Sequence, residues 1–191
     1  MKKINTVKTL WESPGKNHEG KPFFSVKQSR DYYTYGERVG KDSIAFILFD
    51  NNTKKFALIM ESKPPLDTET ELCKMTTAFG GSIDMGDNTT YQEICQTEVK
   101  EEAGYIVPLD KIYDCGKTLV STQMSQMCYT YLVDVTEIQK TEIAEYETKD
   151  ENNEFNGNEV RWMNINEMMD NGDWKSIYIW TQAVYKEIIK K

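Results

Sequence analysis

Apolar residues in this chain gather in short runs, and most of those runs have the length and composition of strands. Ser43 to Phe49 (SIAFILF) is apolar almost throughout, which predicts a buried central strand. Asp50-Asn51-Asn52-Thr53 reads as a turn, and Phe56 to Met60 as the returning arm of a hairpin. Upstream, Pro14, Gly15, Gly20 and Pro22 break a polar stretch with room for one short strand at Lys8 to Trp11. The aromatic, β-prone pieces Phe23 to Gln28 and Tyr32 to Tyr35 follow as two further strands.

Downstream, Lys63-Pro64-Pro65 stops the hairpin and Leu66 to Leu72 is an acidic loop. Lys74 to Phe79 predicts a short strand that delivers the chain into Gly80-Gly81. A helix ending at Gly104 comes next, then strands over Lys111 to Val120 and Met127 to Val135, separated by polar Ser121 to Gln126. Glu137 to Gly157 is acidic and poor in packing residues, which predicts a long mobile loop, of a kind more often functional than accidental. Asn158 to Met163 is a strand and Asn166 to Asn171 a short helix. The last helix starts near Lys175, with Ile177, Trp180, Val184 and Ile188 as its core-facing stripe. Strands, one helix, strands and two helices make an α+β fold, without internal repeats.

Composition narrows the function. The 191 residues are 39% hydrophobic and 28% charged, ordinary for one globular domain with a small N-terminal extension. A net charge of -8 argues against a basic nucleic-acid groove, yet leaves phosphate substrates open, because a divalent cation can bridge acidic side chains to them. Cys73, Cys95, Cys115 and Cys128 form no C-x-x-C pair, so they read as reduced, buried thiols. With neither a signal-peptide pattern nor an 18-residue apolar run, the expectation is a cytoplasmic protein without membrane attachment. Met124, Met127, Met163, Met168 and Met169 read as core, and His18, the sole histidine, takes no role.

The chemistry concentrates in Gly80 to Tyr105 (GGSIDMGDNTTYQEICQTEVKEEAGY). On a helix, Glu101 lies about 60° to one side of Glu98 and Glu102 about 40° to the other, so the three carboxylates share one face. Oxygen-only ligands favour Mg²⁺, with Mn²⁺ or Ca²⁺ as alternatives. Gly80-Gly81 and Gly86 permit an irregular loop, Asp87 to Thr90 offer N-caps, and Gly104 suits the helix end.

This segment resembles the signature of the Nudix hydrolases, G-x5-E-x7-R-E-U-x-E-E-x-G-U, where U is bulky and apolar. Gly81 matches its first glycine and Glu98-Val99-Lys100-Glu101-Glu102-Ala103-Gly104-Tyr105 its end. Asp87 stands where the family has Glu, Thr97 where it has Arg, and nine residues separate them instead of seven. The resemblance implies an α/β/α sandwich with a mixed central sheet over residues 41–191, and extra N-terminal strands over 1–40 for dimerisation or the substrate pocket. It also implies Mg²⁺ (or Mn²⁺) held by Glu98, Glu101, Glu102 and the backbone at Gly81.

The arrangement is most like the ADP-ribose and nucleotide-sugar pyrophosphatase branch, whose members are usually homodimers. That likeness implies a base from the late loop, Glu151 or Glu154, and a phosphate contact from Lys63. Arg30 and Arg38 are alternative phosphate contacts. Tyr33, with Tyr32, Phe23 and Phe24, is a candidate to stack on a base, although strand aromatics more often pack. The expected reaction splits the diphosphate of a nucleoside diphosphate linked to a second moiety. Alternatives are pyrophosphohydrolysis of an oxidised nucleoside triphosphate, and a degenerate domain that binds nucleotides without cleaving them.

Overall fold

The computed structural model describes residues 7–16, 20–29, 32–38, 42–62, 73–83, 89–141 and 159–189. Three N-terminal strands, β1 (Lys8–Glu12), β2 (Phe24–Gln28) and β3 (Thr34–Arg38), form a separate antiparallel sheet. The main sheet is built on β4 (Ser43–Asp50), whose residues from Ile44 to Phe49 are all buried. Strand side chains alternate between faces. Ile44, Phe46 and Leu48 therefore pack on one side with Cys95, Val99 and Ala103 of α1 (Tyr91–Ala103). Ala45, Ile47 and Phe49 pack on the other with Met168 of α2 (Ile165–Asn171) and Ile179 and Ala183 of α3 (Trp174–Tyr185). Helices on both faces explain why β4 is continuously apolar and make the molecule an α/β/α sandwich. Phe46 stacks on Phe79 at 5.1 Å between centroids, and burying each ring contributes roughly 1.5–3 kcal/mol.

The edge of β4 matters for the site. Along one side it pairs in parallel with β9 (Met127–Asp134), which pairs antiparallel with β8 (Ile112–Leu119). Along the other it has two partners. Leu48 to Asp50 pair with β5 (Lys55–Ser62), and Ser43 to Phe46 pair with β7 (Phe79–Ser82). β5 meanwhile pairs through Ile59 to Ser62 with β6 (Lys74–Thr77), and on its far edge with β10 (Glu159–Met163). The β4–β5 hairpin thus splays, and the β6–β7 segment fills the wedge by changing partner at Ala78.

Four expectations need correction. The strand expected at Lys74 to Phe79 is broken at Ala78, and its second half continues through Gly80 and Gly81. Those glycines are therefore strand residues and not a loop. The buried phase of α3 is Ser176, Ile179 and Ala183, while Ile177, Trp180, Val184 and Ile188 are half-buried. Trp180, Val184 and Ile188 still pack against the core, so the stripe was legible, but its most buried line runs through Ser176, Ile179 and Ala183. β3 begins at Thr34, because Tyr32 has φ 61 and turns the chain. Finally, Met163 and Met168 are core, Met124 and Met127 are half-buried, and Met169 is exposed. Cys95, Cys115 and Cys128 are buried free thiols, and Cys73 is half-buried. Among the described residues no helix is long and apolar enough to cross a membrane.

Candidate functional site

The carboxylate segment is α1, and its ends are fixed by local chemistry. Thr90 and Glu93 form a capping box: the Glu93 amide donates to Thr90 Oγ1 at 3.2 Å, and the Thr90 amide to Glu93 Oε2 at 2.7 Å. These hydrogen bonds from Thr90 hold the Glu93 carboxyl below the usual carboxylate range. Gly104 ends the helix at φ 74, where its amide donates to the Lys100 carbonyl. Tyr91 stacks on Tyr129 of β9 at 3.9 Å between centroids. Hydrogen bonding to Tyr91, with burial, pushes the Tyr129 phenol up to about 12. Gln92 donates to the carbonyls of Leu109 and Ile112, and Gln96 to that of Val107, so the exit loop is laced to the helix.

With Cys95, Val99 and Ala103 inward, Glu98 and Glu102 sit half-buried at the flank and Glu101 is exposed. Burial, then the Glu98 charge, pushes the Cys95 thiol up. Glu98 lies directly over Gly81. A Cβ built on Gly81 would overlap the Glu98 carboxylate group, whereas one on Gly80 would meet the Ile44 carbonyl oxygen at 2.7 Å. Neither glycine has a positive φ, so both positions need glycine for space. Among the described residues no three His, Cys, Asp or Glu side chains are gathered as a ready metal cluster. Glu101 and Glu102 share the face of Glu98 without closing on it. The oxygen-only donors and the carboxylate seated on bare backbone nonetheless suit a small hard cation.

Beside Gly81 opens a cavity of about 300 Å³, lined by Arg38, Glu61, Gly80, Ser82, Gln126 and Lys175 among others. Arg38 reaches it from the N-terminal sheet and donates to Ser82 Oγ. That sheet docks on the β8–β9 loop: the Gly36 amide donates to the Gln123 carbonyl at 2.7 Å, and the Ser125 amide to the Gly36 carbonyl at 3.0 Å. Tyr33 donates to the Thr122 carbonyl and is half exposed; Tyr32 and Phe23 are also exposed, and Phe24 is half-buried. Of the expected site residues, Gly81 is the common point: Glu98 sits on it and Arg38 lines the cavity beside it, while Glu98, Glu101 and Glu102 are not among that cavity's lining residues. Lys63, Arg30, Glu151, Glu154, Asp87 and His18 lie outside the described residues. Thr97, at the position of the signature Arg, is exposed and donates to the Glu93 carbonyl at 3.2 Å.

Glu61, Gln126 and Lys175 were not singled out from the sequence. They come from β5, the β8–β9 loop and the first turn of α3, and no local motif announces that these three elements meet.

No protein-family model matches the chain, and no curated protein matches it by sequence. Among solved structures it is similar to an ADP compounds hydrolase, with a TM-score of 0.61 and 13% identity over 98% of both chains. Two helical layers around a mixed sheet, with α1 against β4 and β7, give this chain the Nudix α/β/α fold.

Proposed function

We propose that the chain is a Mg²⁺-dependent hydrolase that cleaves the diphosphate of a nucleoside diphosphate linked to a second moiety. ADP-ribose or a nucleotide sugar is the leading substrate, and the products are a nucleoside monophosphate and the phosphorylated second moiety. The observation that carries this reading is Glu98 seated on Gly81, at the helix bearing E-V-K-E-E-A-G, beside a polar cavity. The likeness to an ADP compounds hydrolase supports it. Glu98, Glu101, Glu102 and the backbone at Gly81 would hold Mg²⁺ (or Mn²⁺). The ion, when bound, neutralises phosphate charge and activates a water toward phosphorus.

The remaining roles belong to the chain. Arg38, held by Ser82, presents a planar fork suited to two phosphate oxygens, and Lys175 a point charge across the same cavity. Gln126 and Glu61 offer hydrogen bonds to sugar hydroxyls. Glu151 or Glu154 is assigned as the base, Lys63 and Arg30 as further phosphate contacts, and Tyr33 as a base-stacking side chain. A loop carboxylate suits chemistry that starts only once bound substrate has excluded water. We also assign a homodimer, supported by exposed Leu10, Trp11 and Phe23 on and beside the N-terminal sheet.

The test is product release from ADP-ribose, UDP-glucose, NADH, a dinucleoside polyphosphate and 8-oxo-dGTP, with and without Mg²⁺, for wild type and Glu102→Gln. Turnover of a diphosphate-linked compound that needs Mg²⁺ and falls at least about 100-fold in the variant supports the reading. Preference for 8-oxo-dGTP would move the substrate to nucleoside triphosphates. A second reading, a nucleotide-binding domain without hydrolysis, is favoured by Thr97. Its hydroxyl is spent within the helix where the signature Arg would orient the carboxylates. Tight nucleotide binding with no turnover of any compound would establish it.

A further inference from the structure

The geometry points to Asp173 as a positioning residue for the Gly80–Gly81 segment, acting from the opposite helical layer through the amide of Ala78. The inference rests on the hydrolase reading for its functional consequence, and on hydrogen bonds alone for its geometry. A strand that changes partner leaves a backbone donor without a ladder acceptor. Thr77 is the last residue of β6 paired with β5, opposite Ile59, and Phe79 the first of β7 paired with β4, opposite Phe46. Ala78 lies between them and is 4% exposed, so water does not serve its N–H.

Asp173 Oδ1 accepts that N–H at 3.1 Å. Asp173 is also the N-cap of α3, and the same oxygen accepts from the Ser176 amide at 3.0 Å and faces the Ser176 hydroxyl at 2.9 Å. Its other oxygen lies 3.7 Å from Lys175 Nζ, and the Asp173 side chain is 10% exposed. The neighbouring Gly172 has no room for a side chain, because a Cβ there would meet the Met168 carbonyl at 2.6 Å and Ser176 Oγ at 2.7 Å. The end of α2, the first turn of α3 and the partner switch are thus one packed unit.

Helix capping alone requires only the bond to Ser176. The bond to Ala78 spans 95 positions of chain and lands just ahead of Gly80. β7 is only four residues long, so a displacement at Ala78 carries directly to Gly81 and moves the backbone on which the Glu98 carboxylate sits. Asp173 fixes the level at which β7 meets the carboxylate helix, and its neighbour Lys175 lines the same cavity.

Three substitutions separate this role from capping. Asp173→Asn retains a carbonyl oxygen at the position of Oδ1. Asp173→Ser retains an efficient N-cap but is too short to reach Ala78. Asp173→Ala retains neither. Amide hydrogen exchange over residues 78–81 is expected to rise at least tenfold in Asp173→Ser and Asp173→Ala and to stay near wild type in Asp173→Asn. On the preferred diphosphate compound, kcat is expected to fall about tenfold in Asp173→Ser and Asp173→Ala, with the half-saturating Mg²⁺ concentration raised severalfold and Asp173→Asn close to wild type. Wild-type exchange over 78–81 in Asp173→Ser, with α3 intact by circular dichroism, overturns the positioning role. Faster exchange with unchanged kcat and Mg²⁺ dependence overturns its link to the site. A wild-type protein that turns over no compound defeats the hydrolase reading, and the exchange rates alone then decide the geometric claim.

Discussion

At the scale of single residues, Gly80 and Gly81 separate stability from activity. Both are in β7 and both lack room for a Cβ, but their obstacles differ. Beneath Gly80 is the Ile44 carbonyl, a backbone atom of the central strand that cannot yield without moving the sheet. Gly80→Ala should therefore destabilise the fold by about 1–3 kcal/mol, read as a lower denaturation midpoint. Beneath Gly81 is the end of the Glu98 side chain, which can turn aside without moving the sheet. Gly81→Ala should thus leave the midpoint within about 0.5 kcal/mol of wild type while lowering turnover at least about tenfold. Equal losses of stability in the two variants would mean that Glu98 is not seated as described. The sequence pointed to these glycines through the signature but assigned them the wrong physical reason. A turn glycine and a glycine crowded by another strand look alike in one dimension, because the crowding neighbour is remote in sequence.

At the scale of elements, legibility followed whether the governing contact was local. The end of α1 was readable at Gly104 and its start was narrowed to Asp87–Thr90, because capping residues act on their own neighbourhood. Thr90→Ala, which removes the cap, should cost about 0.5–2 kcal/mol by chemical denaturation, without displacing the Glu98 face. The phase of α3 was only partly readable: Trp180, Val184 and Ile188 do pack on the core, but its most buried positions include Ser176 and Ala183, which hydrophobicity does not single out. The break at Ala78 was equally hidden, its cause being a partner switch and a carboxylate 95 positions away. The end of β9 supplies a pH-dependent contact of the same remote kind. Lys111 donates to Asp134 Oδ2 at 2.9 Å, and the Thr136 amide to Oδ1 at 2.8 Å. Burial raises the Asp134 pKa, but these bonds outweigh it and set the carboxyl below its ordinary 3.8. A lowered folded pKa means that the stabilisation is complete above pH 3.8 and is lost as pH falls through the folded value. Asp134→Asn should therefore cost about 0.5–1 kcal/mol at pH 7, a figure kept small because Lys111 is partly solvated. The difference from wild type should vanish in acid below the folded pKa, as followed by thermal melts across pH.

At the scale of the whole molecule, the cavity is assembled from two sheets, and the joint between them is narrow. The N-terminal sheet contributes Arg38, and it is held to the β8–β9 loop of its own chain by the two backbone bonds of Gly36. A side chain at that joint would have to displace its neighbours, since a Cβ on Gly36 would lie 2.5 Å from Phe24 Cζ and 2.8 Å from Met124 Sδ. Gly36→Val keeps a residue suited to β3 but should force the sheet off the loop. The two cores flanking β4 include no residue of β1, β2 or β3, so the sandwich should remain folded. Trypsin should then cut faster at Lys27 and Arg38, while the melting temperature of the sandwich falls by no more than about 4 °C. With Arg38 withdrawn from the cavity and the Gly81–Glu98 seat untouched, KM for a diphosphate substrate should rise about tenfold at nearly constant kcat, the loss of one charge-assisted hydrogen bond. A fall in kcat at unchanged KM would instead place the influence of the N-terminal sheet on the carboxylate helix. The path for that influence would be Ser82, which accepts from Arg38 and adjoins Gly81 in the same strand.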